Sequence, residues 1–223
     1  MTRSVVIVPS RGRKDRFDLC MDNLIAKTSV SDIIVAIDED EHHGYKRYSE
    51  AEYIIGPKPI KLGVNEKLNR VANFVKDKYD YILWIADDTV VQTDKWDELL
   101  IYAIKDIRNG ISYPNDLLRR DALPSNGTCF DSNIVRALGY LAPPTLLHLY
   151  IDNFWKKLGE TLKTLRYCPN VIVDHQHYTN GKAEKDLIYQ EVNAQWMYEH
   201  DKSQLALYYA NEFSQDLTKL IEK

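Results

Sequence analysis

Two adjacent carboxylates, Asp87 and Asp88, close the apolar run Tyr81-Ile82-Leu83-Trp84-Ile85. Such a run seeks the interior of a sheet, and carboxylates at its end must be solvated, paired or bound to a cation. Mg²⁺ and Mn²⁺ favour oxygen ligands, and Mg²⁺ takes one or two protein carboxylates while phosphate oxygens and water complete its shell. A second set, Asp174-His175-Gln176-His177, follows the short apolar run Val171-Ile172-Val173. Residues two apart in an extended segment point the same way, so His175 and His177 can face one cleft.

Two more polar clusters follow apolar runs: Ser10-Arg11-Gly12-Arg13 after Ser4–Pro9, and Asp38-Glu39-Asp40 after Asp32–Ile37. Arg11, Arg13, Lys14 and Arg16 surround the start of a helical pattern, which suits a phosphate or diphosphate ligand. The segment has neither the glycine spacing of a dinucleotide fingerprint nor a Walker loop. Each cluster also has a plainer reading. The arginines can be a solvated helix start, and the acids after Ile37, with His42 and His43, an exposed turn. Asp87 and Asp88 can cap the turn that follows them.

The elements that must position these groups read as strands alternating with helices. Phe17, Cys20, Met21 and Leu24 share one helical face, and Tyr53–Ile55 is a third short strand. Leu62-Gly63 is expected to open a helix with Val64, Leu68, Val71 and Val75 on one line and Asn65, Asn69 and Asn73 on a neighbouring one. Downstream, helices are expected over Trp96–Ile107 and Ile151–Lys163, and a strand over Gly110–Tyr113. From Ala183 the chain reads as helical, with a break near Asp201–Ser203. Solid apolar strands argue for a parallel sheet covered on both faces, and such sheets bind ligands beyond the carboxyl ends of their strands.

The whole chain of 223 residues, 44% hydrophobic and 28% charged, suits one large domain or one domain with a helical appendage. No apolar stretch is long enough to span a bilayer and the start lacks a signal-peptide layout, so the expected location is the cytoplasm, that of the host if the protein is viral. Cys20, Cys129 and Cys168 are dispersed and form neither a disulfide framework nor a zinc pattern. A net charge of −4 argues against a generic duplex-DNA binder.

The order of these pieces resembles GT-A glycosyltransferases of the small bacterial or phage type, related to the large inverting family that includes cellulose and chitin synthases. The resemblance runs from about residue 3 to 190 through VVIVPSRGR, IIVAIDEDE, LGVNEKLNRVANFV, YILWIADDTVVQTDKWDELL, YIDNFWKKLG and VIVDHQHYTNGKAEKD. It implies a Rossmann-like, mostly parallel α/β sheet with helices on both faces. Residues 1–182 would form the catalytic domain, with donor binding over about 1–95 and acceptor binding over 96–182. Residues 183–223 would be a helical extension packed on the same domain.

The implied activity is metal-dependent, inverting transfer of a sugar from a nucleotide-sugar donor, UDP-linked by expectation, with Mn²⁺ or Mg²⁺. The acceptor stays open among a glycan, a protein and a modified base of phage DNA. On this resemblance Pro9, Ser10, Arg11, Asp38, Asn65, Asn69 and Asp87 line the donor, and Asp88 with His175 or His177 binds metal. The first acid of the family's D-x-D is replaced by Ala86, leaving Ala86-Asp87-Asp88. Asp152 matches the general base, although it can equally be read as a helix N-cap. The rival readings are a sugar nucleotidyltransferase, which would normally open with a glycine-rich loop missing here, and a non-catalytic nucleotide-sugar or glycan binder, which Ala86 favours.

Overall fold

The computed structural model describes residues 2–58 and 63–222. Among the described residues eight strands form one sheet: β1 Ser4–Pro9, β2 Ser31–Asp38, β3 Ala51–Gly56, β4 Tyr81–Trp84, β5 Thr89–Val91, β6 Ile111–Asn115, β7 Cys129–Asp131 and β8 Leu165–His175. Their spatial order is β3-β2-β1-β4-β7-β6-β8-β5. β1, β2, β3 and β4 run parallel, as the solid apolar runs predict, and β6 is parallel to β8. β7 is antiparallel to both β4 and β6, and β5 is antiparallel to β8, so the sheet is mixed.

Alternation of side chains along each strand divides the core into two layers. Val5, Ile7, Ile34 and Ile82 face the helices α2 (Asn65–Val75), α4 (Asn133–Leu138) and α5 (Ile151–Leu162). The same layer takes Leu205 and Tyr208 of α7 (Gln195–Asn211) and Leu220 of α8 (Phe213–Glu222). Val6, Val8, Val35 and Leu83 face α1 (Lys14–Lys27) and α3 (Trp96–Tyr102), which contribute Phe17, Met21, Leu24, Trp96 and Leu100. Fully burying each such side chain contributes roughly 1.5–3 kcal/mol, which makes these interior residues the main hold on the sheet.

Several boundaries differ from the sequence reading. The third strand extends to Ala51–Gly56 and the last to Leu165–His175, while the α3 helix stops at Tyr102. The short strands β5 and β7 and the helix α4 carry too few residues for a periodic signal. The α2 helix opens at Asn65; Leu62, expected to open it, lies outside the described residues. The break expected at Asp201–Ser203 is not there. Helix α7 passes through that stretch and ends at Asn211, because Asp201 is buried and bonded to a neighbouring loop rather than exposed in a turn. The remaining short helix, α6 (Leu187–Val192), packs near the carboxyl ends of the strands. Among the described residues no helix is long and apolar enough to cross a membrane. The three cysteines are free.

Candidate functional site

A cleft of about 430 Å³ opens beyond the carboxyl ends of β1 and β4, lined in part by Pro9, Ser10, Arg11, Asp87, Asp88 and His175. The two acids arrive there because β4 ends at Trp84 and the chain turns into β5. Ribbon pairing then fixes what stands beside them: Thr89 pairs with His175, and Gln176 donates its backbone N–H to the Asp88 carbonyl at 2.8 Å. Residues more than eighty positions apart are thus held side by side.

Asp87 and Asp88 are both buried, yet their surroundings differ. The Ser10 hydroxyl donates to Asp87 Oδ2 at 2.5 Å and lies 3.0 Å from the Tyr45 hydroxyl. Burial, and then the adjacent Asp88 charge, push the Asp87 carboxyl above the usual carboxylate range. Burial also works against ionisation of Asp88, but His175, Tyr189 and Arg13 outweigh it and hold this group below that range. Tyr189 Oη donates to Asp88 Oδ2 at 2.5 Å, and Arg13 Nη1 donates to the same oxygen at 3.2 Å. Asp88 Oδ1 faces His175 Nε2 at 3.3 Å, but it is buried without a hydrogen-bond partner.

Arg13 is the hub of this wall. Its guanidinium stacks on the Tyr189 ring at 3.8 Å, and its Nε donates to Asp186 at 3.0 Å. Asp186 also N-caps α6 by accepting the Tyr189 backbone N–H at 2.8 Å, which sets where the Tyr189 phenol points.

The two histidines separate. His175 is the last residue of β8, whereas His177 caps a 3-10 turn over Tyr178–Asn180 and its Nδ1 accepts the Thr179 N–H at 3.2 Å. Both line the cleft with ring centroids 5.1 Å apart. Loss of hydration pushes His177 down to about 4, while the Asp88 carboxylate raises His175 above its ordinary value against the effect of burial. Asp174, on the opposite face of the strand, is spent on Lys182 at 2.5 Å and on Gln92 at 3.2 Å. Among the described residues no group of three or more His, Cys, Asp or Glu side chains is arranged to hold a metal ion.

Asp38 lies under the cleft rather than on its lining. It is fully buried, 2.8 Å from Arg11 and 2.6 Å from Lys67, and those two cations do line the cleft. Arg11 also forks onto Asp40, with both bonds at 3.1 Å.

Asn65 and Asn69, expected along the donor, point elsewhere. Asn65 Nδ2 donates to the Pro143 and Leu146 carbonyls at 2.8 Å each, and Asn69 bonds the backbone of Leu141 and Ala142. With Asn73, which donates to Gly139 O at 2.7 Å, they staple the loop before α5 to helix α2. The approach is close enough that a Cβ on Gly63 would collide with the Leu147 carbonyl.

Asp152 lines the cleft from the first turn of α5. It is not the N-cap; Tyr150 is, in the left-handed conformation at φ 62°. Its carboxylate accepts the Asn153 N–H at 2.9 Å, and burial raises its pKa above the ordinary value.

Lys67, His148 and Tyr189 also line the cleft and were passed over in the sequence. Lys67 sits one turn before Arg70 on a helix read only for its apolar and asparagine lines, so its burial carried no local signal. His148 and Tyr189 lie in segments whose relation to β4 depends on long-range packing.

No protein family profile matches the chain, and no curated protein matches it in sequence. Solved structures do match in fold. Staphylococcus aureus TarS aligns at TM-score 0.58 and 11% identity, over 96% of this chain and 44% of that protein, so the chain spans less than half of TarS. The Pyrobaculum calidifontis mannosyltransferase PcManGT, in complex with GDP-Man and Mn²⁺, aligns at 0.58 and 11% identity over 99% of this chain and 79% of that one. Mycobacterium tuberculosis glucosyl-3-phosphoglycerate synthase, in complex with Mn²⁺, UDP and phosphoglyceric acid, aligns at 0.56 and 11% identity over 79% and 71%. The chain has the GT-A fold of glycosyltransferases.

Proposed function

We propose that the chain transfers a sugar from a nucleotide-sugar donor to a hydroxyl acceptor, with a divalent cation held by Asp88 and His175. One observation carries this reading: Asp88 Oδ1 is buried without a hydrogen-bond partner and faces His175 Nε2 at 3.3 Å, beside the cations Arg11, Arg13 and Lys67. One oxygen and one imidazole nitrogen fit a cation that takes its other ligands from diphosphate and water, and Ala86 then needs no acidic replacement. Bound there, the cation would supply charge stabilisation to the departing diphosphate. His177, whose Nδ1 is engaged by Thr179, is the outer member of the pair.

The chain's own groups complete the donor side. Ser10 and Arg13 hold Asp87, and Arg11 and Lys67 neutralise Asp38 while keeping N–H groups on the cleft for diphosphate or ribose. On the other side, Asp152 takes the proton of the acceptor hydroxyl as its oxygen bonds the anomeric carbon. The anomeric bond to the diphosphate breaks on the opposite face, and its electron pair leaves with the nucleoside diphosphate, so the configuration inverts. The solved structures with UDP or GDP-Man and Mn²⁺ support a nucleoside diphosphate and a divalent metal, and the sequence resemblance favours UDP. The acidic balance of the chain favours a glycan or small polyol acceptor over DNA.

A panel of UDP- and GDP-sugars, scanned by thermal shift with and without Mn²⁺ and followed by hydrolysis assays, tests this reading. Ligand binding raises the melting temperature by mass action. Metal-dependent stabilisation together with slow hydrolysis is expected. Stabilisation without any turnover would favour the non-catalytic binder, and neither response would remove both readings.

A further inference from the structure

Four cationic side chains line the cleft among the described residues, and three have carboxylate partners: Arg11 with Asp38 and Asp40, Arg13 with Asp88 and Asp186, and Lys67 with Asp38. The fourth, Arg119, has no carboxylate within 4.0 Å and no side-chain hydrogen bond among the described residues. We propose that Arg119 recognises an oxyanion on the acceptor, so that the acceptor is a sugar or polyol carrying a phosphate or a carboxylate. The inference rests on the glycosyl-transfer reading above and names its acceptor class.

The backbone at Arg119 is fixed by a buried acid, while its side chain is exposed. Arg119 follows β6, where buried Asp116 accepts three successive backbone N–H groups through Oδ1: Leu118 at 2.9 Å, Arg119 at 2.6 Å and Arg120 at 2.8 Å. Asp116 also offers its backbone carbonyl to the His175 N–H at 3.1 Å, which ties the Arg119 turn to the metal-side histidine. The Arg119 charge favours the ionised form of Asp152, which lines the same cleft. Lys156, one turn after Asp152 on α5, donates to the Ala122 carbonyl at 2.9 Å, and Ala122 donates its N–H to the Arg119 carbonyl at 3.0 Å, so the Arg119 turn adjoins the helix that carries Asp152.

The same end of the cleft is aromatic. Tyr150, two residues before Asp152, lines it with Tyr198, the two rings edge to face at 6.5 Å. Tyrosine rings offer an apolar face with a polar rim, which suits a hydroxylated ligand. A planar guanidinium pairs bidentately with phosphate or carboxylate, and hydrogen bonds to charged groups are worth about 1.5–3 kcal/mol, so a neutral acceptor would forgo roughly a tenfold or greater gain in affinity.

Calorimetry with UDP and Mn²⁺ present at saturation, which blocks the donor side, tests this with three probes that share a sugar ring: glucose, glucose 6-phosphate and glucuronate. The wild type is expected to bind at least one charged probe about tenfold or more tightly than glucose, and Arg119→Gln to abolish that preference while Arg119→Lys keeps part of it. A stronger response to glucose 6-phosphate assigns a phosphate, and a stronger response to glucuronate a carboxylate. Equal binding of all three probes, or a charge preference that survives Arg119→Gln, overturns the proposal. So does a loss of UDP affinity in Arg119→Gln, since it would put the guanidinium on the donor. Nucleotide-sugar hydrolysis by the wild type, measured in parallel, tests the transfer reading separately: an intact anion preference without hydrolysis upholds the anion site and removes glycosyl transfer.

Discussion

Asp201 of α7 accepts the backbone N–H of His148 at 2.9 Å, and the same carboxylate accepts those of Leu147 and Leu149 at 3.0 and 2.7 Å. A fully buried acid on a C-terminal helix thus shapes the loop that leads into Asp152. Asp201→Ala leaves three backbone donors without their partner, at about 1–3 kcal/mol each when they stay buried. Urea unfolding is expected to show a loss of about 3 kcal/mol or more. A change below about 1 kcal/mol would mean that water replaces the carboxylate freely and the loop is not held by it.

Asp152→Asn keeps the shape of the side chain but removes the proposed base. Transfer is expected to fall by about 10²–10⁴-fold while UDP affinity holds, read by product formation and calorimetry. Because burial raises the Asp152 pKa, the acid limb of the wild-type rate profile should lie above the pH where an ordinary exposed aspartate titrates. Unchanged turnover in Asp152→Asn would remove it from the mechanism.

Tyr189 spends its phenol on the oxygen of Asp88 that Arg13 also holds. A divalent cation on Oδ1 would share the carboxylate charge with these two donors, which draw it toward Oδ2. Tyr189→Phe deletes one hydrogen bond worth about 1 kcal/mol or more, so Mn²⁺ should bind several-fold more tightly, as measured by direct titration without nucleotide. Weaker Mn²⁺ binding in this variant would show instead that the phenol supports the metal site.

His148 gives stability a defined pH dependence. Loss of hydration pushes its pKa down to about 4, with partial compensation from Asp201. Between that value and the ordinary 6.5 the unfolded chain holds a proton that the folded chain does not. Stability therefore rises with pH across this window, is fully present above about 6.5 and is lost as pH falls toward 4. His148→Gln is expected to flatten the fall in melting temperature between pH 7 and pH 5; an unchanged slope would assign it to other groups.

The central part of the fold is readable locally. Val5–Val8, Ile33–Ile37 and Tyr81–Leu83 are apolar on both faces, and only a covered parallel strand accommodates that pattern. Ser10, Arg11, Asp38, Asp87 and Asp88 stand at the ends of those runs, where chain direction alone places them at one edge. By contrast, Asn65, Asn69 and Asn73 share a helix face that local spacing cannot assign to a ligand or to a loop, and their amides go to carbonyls more than sixty residues away. Asp201 misled in the same way, since a charged residue inside a helical stretch looks like a break until its distant backbone partners are known.

What the sequence by itself determined is the strands other than β5 and β7, the two apolar layers and the polar groups at the strand ends, because hydrophobic periodicity and strand direction are properties of neighbouring residues. Only the tertiary structure decided that His175 rather than His177 faces Asp88, that Lys67 joins Arg11 on Asp38, that Asp152 is not the helix cap, and that Arg119 alone among the described cleft cations has no carboxylate partner. Each of those depends on pairing a buried polar group with a partner far along the chain. The cost of leaving such a group unpaired fixes the choice only once packing has brought the partners together.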